Sequence, residues 1–174
     1  ANAKAAASIW PGPGWVIGHS YGAAVAVRFA LDYPDRVTQL ILIEPVLFAA
    51  ARECAGHAQF RKDFAPIAAA FEADDMDRAA QLFMRLWGDK SPWDQVPQPM
   101  RTYAAERMGF VRDSEADLED DTSGIFEVGV LENLSMPVTL IRGDTTHPVI
   151  ADVNDALEHR LPNATQHVIA GAGH

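Results

Sequence analysis

Residues able to share one proton fall at the ends of apolar runs in this 174-residue chain. Ser20 follows Val16-Ile17, Glu44 follows Leu40 to Ile43, Asp144 comes just after Val138 to Arg142, and His174 closes the chain after Gln166 to Ala170. A serine hydroxyl is a weak nucleophile at neutral pH. It becomes a strong one when an imidazole within hydrogen-bond reach takes its proton and a carboxylate orients that imidazole. The chemistry implied is acyl transfer. Ser20 lies in Gly18-His19-Ser20-Tyr21-Gly22, between a strand-like stretch and the helix-like Ala24 to Leu31. A serine on such a strand-to-helix elbow is held in strained backbone geometry, and the residues two before and two after it must be nearly without side chains. Gly18 and Gly22 meet that demand. The backbone N–H of Tyr21 opens the following helix and is the expected oxyanion donor. His19 is expected to point away from the serine by strand alternation.

Those side chains meet only if the runs are strands of one sheet. Leu40-Ile41-Leu42-Ile43 is apolar on both faces, as in parallel strands covered by helices on each side. A strand, a helix and a strand in succession require a right-handed crossover. The order reads as a helix-forming start broken by Pro-Gly-Pro-Gly at 11–14, a strand to Gly18, a helix stopped at Tyr33-Pro34, a strand over 37–43, then helices. A strand over 138–142, a helix over 149–161 and a last strand over 166–170 complete it. In an open parallel sheet ligands bind beyond the carboxyl ends of the strands, where Ser20, Glu44, Asp144 and His174 all fall. From Pro45 to Asn133 the pattern is helical only. Phe64, Ile67, Ala68 and Phe71 recur at helical spacing, and Met76, Ala79, Ala80, Phe83, Leu86 and Trp87 form a second stripe behind Asp75, the expected N-cap.

Composition limits the rest. With 48% hydrophobic residues the chain can bury one sizeable core and reads as one domain carrying an insertion. Asp and Glu number 24 against 14 Lys and Arg, a net charge of −10 that opposes binding to nucleic acid or anionic membrane surfaces. Cys54 is the one cysteine, so no internal disulfide forms; no metal or other cofactor is expected, and the expected partner is a small-molecule substrate. The acidic run Asp113, Glu115, Asp117, Glu119, Asp120, Asp121 lacks the mid-loop glycine of a calcium loop and reads as a solvated helix face or loop. No stretch approaches 18 uninterrupted apolar residues. The start lacks Met, so a targeting signal cannot be read there, and the expected compartment is the cytoplasm.

Through "GHSYGAAVAVRFALDYPDRVTQLILIEP", "MPVTLIRGD" and the terminal "GAGH", the sequence resembles the α/β-hydrolase fold enzymes over nearly its whole length. The resemblance implies an α/β fold: a parallel sheet with flanking helices, its core at 1–46 and 134–174, and a helical cap inserted at 47–133. It implies that cap residues line an apolar substrate pocket, with Phe83, Trp87 and the loop residue Trp93 the candidates. It further implies a chain cut at both ends, the C-terminal part of an enzyme whose second oxyanion donor lies upstream, so that the fragment alone is expected to be nearly inactive. His174 matches the family's histidine loop. The acid departs from pattern, because the usual aspartate position holds Thr146. Glu44 and Asp144 are the two replacements, and Glu44 is preferred because some capped relatives resembling haloalkane dehalogenases place their acid after that strand. The implied activity is a serine hydrolase working through an acyl-enzyme on a small, largely apolar ester. A carbon–carbon bond hydrolase or thioesterase shares the elbow. Thr146 favours the rival reading, a non-catalytic binding protein on the same scaffold.

Overall fold

The structure, a computed structural model, describes residues 2–10, 12–89 and 91–174. Pro11 of the expected break and Lys90 of the loop carrying Trp93 lie outside the described residues, as does Ala1. In chain order the elements are α1 (Asn2–Ile9), β1 (Gly14–His19), α2 (Tyr21–Asp32), β2 (Val37–Ile43), α3 (Ala55–Glu72), α4 (Met76–Trp87), α5 (Gln98–Ala105), α6 (Met108–Asp120), β3 (Val138–Gly143), α7 (Pro148–Arg160) and β4 (Ala164–Ile169). The four strands form one parallel sheet in the order β1-β2-β3-β4. The fold is α/β, with helices flanking the sheet and four more inserted between β2 and β3.

Register explains which residues make the core. Val16 pairs with Leu40 and Leu40 with Val138; one step further, Gly18 pairs with Leu42 and Leu42 with Leu140. Side chains two apart share a sheet face, so Leu40, Leu42, Val138 and Leu140 lie on one side, each at most 1% exposed. Ala23, Val27 and Ala30 of α2 and Ile150, Val153 and Leu157 of α7 complete that core, all fully buried. The small residues of α2 let its backbone approach the sheet closely. The alternate residues, Trp15, Ile17, Ile41 and Ile141 among them, face the other way. Among the described residues this second face is poorly covered: Trp15 is 63% exposed and Ile17 61%. Among the described residues, the double cover expected for the Leu40–Ile43 run is therefore complete on one face only.

The inserted helices lie over the carboxyl ends of the strands, and α3 is fastened to α7 by polar contacts. The Gly56 N–H, at the start of α3, donates to Asp152 Oδ2 of α7 at 2.8 Å. His147, which N-caps α7, places Nε2 3.2 Å from Asp63 Oδ2 of α3. Asp75 caps α4 by accepting the Arg78 N–H at 2.9 Å, as its sequence position predicts. The acidic run differs from expectation at Glu119, which is 7% exposed and lies 3.0 Å from His57 Nε2. Helical period explains the difference: Glu115 and Glu119 are one turn apart on the face of α6 turned toward α3, whereas Asp113 and Asp120 face solvent. Asp121, at φ 52°, ends α6 and accepts the N–H groups of Ile125 and Phe126. No helix among the described residues is long and apolar enough to cross a membrane.

Candidate active site

Ser20 stands between β1 and α2 at φ 54° and ψ −125°. A non-glycine residue held in that region stores strain of about 1–3 kcal/mol. Two bonds hold it there: the Ser20 N–H donates to the Ile43 carbonyl at 2.9 Å, and the Ala23 N–H donates to the Ser20 carbonyl at 2.9 Å. A Cβ at Gly18 would sit 2.4 Å from the Gly22 carbonyl oxygen, so only glycine fits there. A Cβ at Gly22 would meet nothing within 4 Å among the described residues. The demand for a missing side chain thus falls on Gly18, not on both glycines.

Glu44, the residue after β2, is also strained, at φ 49°. Its N–H donates to the Ile141 carbonyl at 2.8 Å, and its carboxylate is buried below the strand ends, 2% exposed. Oε1 accepts the Gly143 N–H at 2.6 Å; Oε2 accepts the Thr146 hydroxyl at 2.5 Å and lies 3.1 Å from His174 Nδ1. His174 Nε2 lies 2.8 Å from Ser20 Oγ. An ionised carboxylate only accepts, so the neutral imidazole carries its proton on Nδ1 and presents the Nε2 lone pair to the serine. Burial pushes the Glu44 carboxyl up, but the hydrogen bonds from His174, Thr146 and Gly143 outweigh it and hold the group below the ordinary carboxylate value. Glu44 is therefore ionised at neutral pH. Thr146, at the position where an aspartate was expected, donates to the carboxylate that stands in its place.

Asp144 does something else. Its Oδ1 accepts the Gly171 N–H at 2.7 Å, and among the described residues the imidazole is met by Glu44 and not by Asp144. The reason is directional: one residue past Gly143, the chain points the carboxylate at the turn after β4, not at its tip. That turn carries His174. Gly171 adopts φ 72°, and the Ala172 carbonyl accepts both the Thr145 N–H at 3.0 Å and the Thr145 hydroxyl at 2.7 Å. Residues 143–145 thus clasp 171–172 and set the imidazole. We expect Asp144→Ala to lower kcat about tenfold by loosening this clasp, and Asp144→Asn, whose amide oxygen still accepts, to restore most of it. A loss in Asn equal to that in Ala would show that charge matters there and that the clasp does not.

His19 lies beside the imidazole. Its ring centroid lies 5.2 Å from that of His174, because the reversal at Gly171 brings the chain end back over β1. Burial lowers the His19 pKa, and the neighbouring His174 lowers it further, so His19 is a neutral neighbour of the imidazole. 

Ser20 and His174 open on a cleft beneath the inserted helices that encloses about 570 Å³ of empty space, part of it open to solvent. Phe83 and Trp87 line it, with Phe48, Phe60, Phe64 and Phe110. Trp87 packs against the imidazole, with ring centroids 4.6 Å apart. Trp93 is not there. It borders a separate hollow with Gln81, Met84 and Arg85, and the Arg101 guanidinium lies 5.9 Å from its ring centroid. Its 3-10 turn at Trp93–Gln95 is tied down by Arg101, which bonds the Val96 carbonyl and keeps the ring away from the serine. Residues that sequence reading missed include Phe48 and Phe60, stacked at 4.2 Å, and Phe110, edge-on to Tyr21 at 4.8 Å. The spacing of Phe60 and Phe64, one helical turn apart, was the available signal; Phe48 lay in an irregular stretch with none.

A strained serine on a strand-to-helix elbow, set in a parallel sheet with helices inserted over the strand ends, defines a nucleophile-elbow class of α/β protein. The family profile described as alpha/beta hydrolase fold matches residues 11–174, and the chain belongs to that family. Among solved structures it is similar to an alpha/beta hydrolase from Sphaerobacter thermophilus, at TM-score 0.61 and 22% identity over 90% of this chain and 60% of that one. A structure from work on carboxylesterases of the thaumarchaeon Nitrososphaera gargenis gives TM-score 0.60 and 20% identity over 94% and 58%. An esterase from Rhodococcus gives 0.53 and 18% over 97% and 61%. The chain thus spans about three-fifths of the length of these structures. A search of curated protein sequences found no match.

Proposed function

We propose that this chain carries the site of a serine hydrolase that works through an acyl-enzyme on a small, largely apolar ester. Ser20 attacks the carbonyl while His174 takes its proton; Glu44 holds the imidazole in the required tautomer and stabilises the imidazolium; and the Tyr21 N–H, at the positive end of α2, faces the developing oxyanion. His174 then returns the proton to the leaving alcohol, and water, activated by the same imidazole, releases the acid. Residues 47–133 act as the cap over a core formed by 1–46 and 134–174, and Phe83 and Trp87 contact the substrate. The single observation that carries this reading is the unbroken series Ser20 Oγ–His174 Nε2 at 2.8 Å and His174 Nδ1–Glu44 Oε2 at 3.1 Å, opening on an aromatic cleft. A buried acid was the element whose absence favoured a binding protein, and Glu44 with Thr146 fills it. The test, made on the full-length protein because this chain spans about three-fifths of its structural relatives, is a fluorophosphonate probe with the adduct located by mass spectrometry, alongside a panel of p-nitrophenyl esters. Labelling at Ser20 that disappears in Ser20→Ala, together with ester turnover, is the expected result. A folded protein that takes up no probe would end the hydrolase reading.

A further inference from the structure

The cleft beside Ser20 is not apolar throughout. One face of α6 turns Phe110, Val111, Ser114, Glu115, Leu118 and Glu119 toward it, so two carboxylates stand in a wall otherwise built of aromatic and aliphatic groups. Glu119 is the informative one. Its side chain is 9% exposed, and its two oxygens are used unequally. Oε2 lies 3.0 Å from His57 Nε2 and 3.5 Å from the Arg61 guanidinium. Oε1 is buried and has no hydrogen-bond partner among the described residues. A buried carboxylate oxygen without a donor is destabilising, and native structures hold few such atoms without a reason. Packing gives none, since a leucine at this position would continue the stripe of Val111 and Leu118.

Charge points the same way. Glu115 and Glu119 share one guanidinium, because Arg61 NH1 also lies 3.6 Å from Glu115 Oε1, and Arg61 itself is about half exposed. His57 Nε2 contacts the same oxygen of Glu119, Oε2, and leaves Oε1 without a partner among the described residues. Two carboxylates thus share one partly solvated guanidinium, and the nearby Arg52 is engaged by the Glu119 carbonyl and the Asp120 carboxylate instead. The rest of the wall is rich in aromatic rings, whose faces attract cations. An apolar cleft with a nucleophile, aromatic walls and an undersupplied carboxylate suits a chain that is greasy in the middle and carries a positive donor at its far end.

We infer that Glu119 is a specificity-determining residue, and that the cleft takes esters whose apolar chain ends in a protonated amine. The ammonium donates to Glu119 Oε1, supplying the bond that oxygen lacks, and its charge is balanced by Glu119 and Glu115. This inference rests on the hydrolase reading for the word ester but not for the amine, and the two are tested apart. The first arm needs no turnover: binding of hexylammonium and of 1-hexanol to the unmutated protein is measured by calorimetry. Hexylammonium is expected to bind at least about tenfold more tightly, the value of one charge-assisted hydrogen bond. Glu119→Gln is expected to erase that ratio, and Glu115→Gln, should Glu119→Gln fail to fold, to reduce it. The second arm compares kcat/KM for two p-nitrophenyl esters of equal chain length, one ending in methyl and one in a primary ammonium. Preference for the ammonium ester, lost in Glu119→Gln, supports the inference. Equal binding of hexylammonium and hexanol overturns it, whatever the esters do. Preferential amine binding with no turnover of either ester would leave the amine site standing and remove the hydrolase.

Discussion

Glu44→Gln is expected to lower kcat by roughly ten-thousand-fold while leaving the protein folded, the loss seen when a triad acid is made an amide. The geometry gives the mechanism. The Gly143 N–H and the Thr146 hydroxyl both need acceptors, and Glu44 supplies both oxygens to them and to His174. A glutamine has one acceptor oxygen, which the buried Gly143 N–H claims. Its NH2 then faces His174 Nδ1 and forces that nitrogen to accept. The proton moves to Nε2, which points at Ser20 Oγ and can no longer take a proton from it. The measurement is kcat for ester hydrolysis in Glu44→Gln beside Asp144→Asn. A large loss in the first with little in the second identifies Glu44 as the acid; the reverse order would make Asp144 the acid and the distances misleading.

The same substitution has a pH signature. The Glu44 carboxyl titrates below its unfolded value, so its hydrogen bonds stabilise the native protein fully above the unfolded value of about 4.5, and that contribution is lost as pH falls through the lower folded value. The stability difference between wild type and Glu44→Gln should therefore shrink as pH drops below about 4.5 and be flat above it.

Gly143→Ala is expected to reduce kcat at least about a hundredfold and to destabilise the protein by about 1–3 kcal/mol. A Cβ on Gly143 would stand 2.0 Å from the Ala172 carbonyl oxygen and 2.5 Å from its carbon, closer than any contact the atoms tolerate. The obstruction cannot be cleared by a side-chain rotation, since both partners are backbone. Nor can Ala172 move freely, because its carbonyl is held by two bonds from Thr145. The turn must shift as a unit, and His174 stands two residues beyond it. Gly143 also donates the N–H that holds Glu44 Oε1, so the displacement reaches the imidazole from both sides. Thermal melts and ester kinetics of Gly143→Ala should be compared with Gly109→Ala, where a Cβ would meet nothing within 4 Å among the described residues. Wild-type kinetics in Gly143→Ala would mean that the clasp does not set the histidine.

The parts of this architecture that repeat a local rule were readable in the chain. Gly18-His19-Ser20-Tyr21-Gly22 between an apolar run and an alanine-rich stretch carries its own geometry, and Leu40 to Ile43 could only be a parallel strand. Asp75 three residues before Arg78 announced the cap of α4. What was not readable depended on partners far away in sequence. Glu44 and Asp144 sit equally well at strand ends, and only the direction of each carboxylate separates them: toward Gly143 and Thr146 in one case, toward Gly171 in the other. Trp93 had the composition of a ligand-facing loop, but an arginine eight residues later fixes it elsewhere. Glu119 read as one more charge in an acidic run, because neither His57 nor the cleft is visible from α6 alone. His19 obeys strand alternation; the chain end simply returns to the face on which it lies.

Ser20 and Glu44 share a further property: each is a bent residue pinned through its own N–H to the terminal carbonyl region of the next strand, Ser20 to Ile43 of β2 and Glu44 to Ile141 of β3. Neither would hold its backbone angle without that anchor. The nucleophile and the acid therefore belong to the same cooperative unit as the ends of three strands, and they are released together when those ends fray. Such sub-global openings cost less than unfolding the whole domain. On heating or in mild denaturant, the Ser20–His174–Glu44 series is expected to be lost while the Leu40–Leu140 core is still intact. For the proposed hydrolase, the working range is expected to follow the fraying of its strand ends, not the melting of its core.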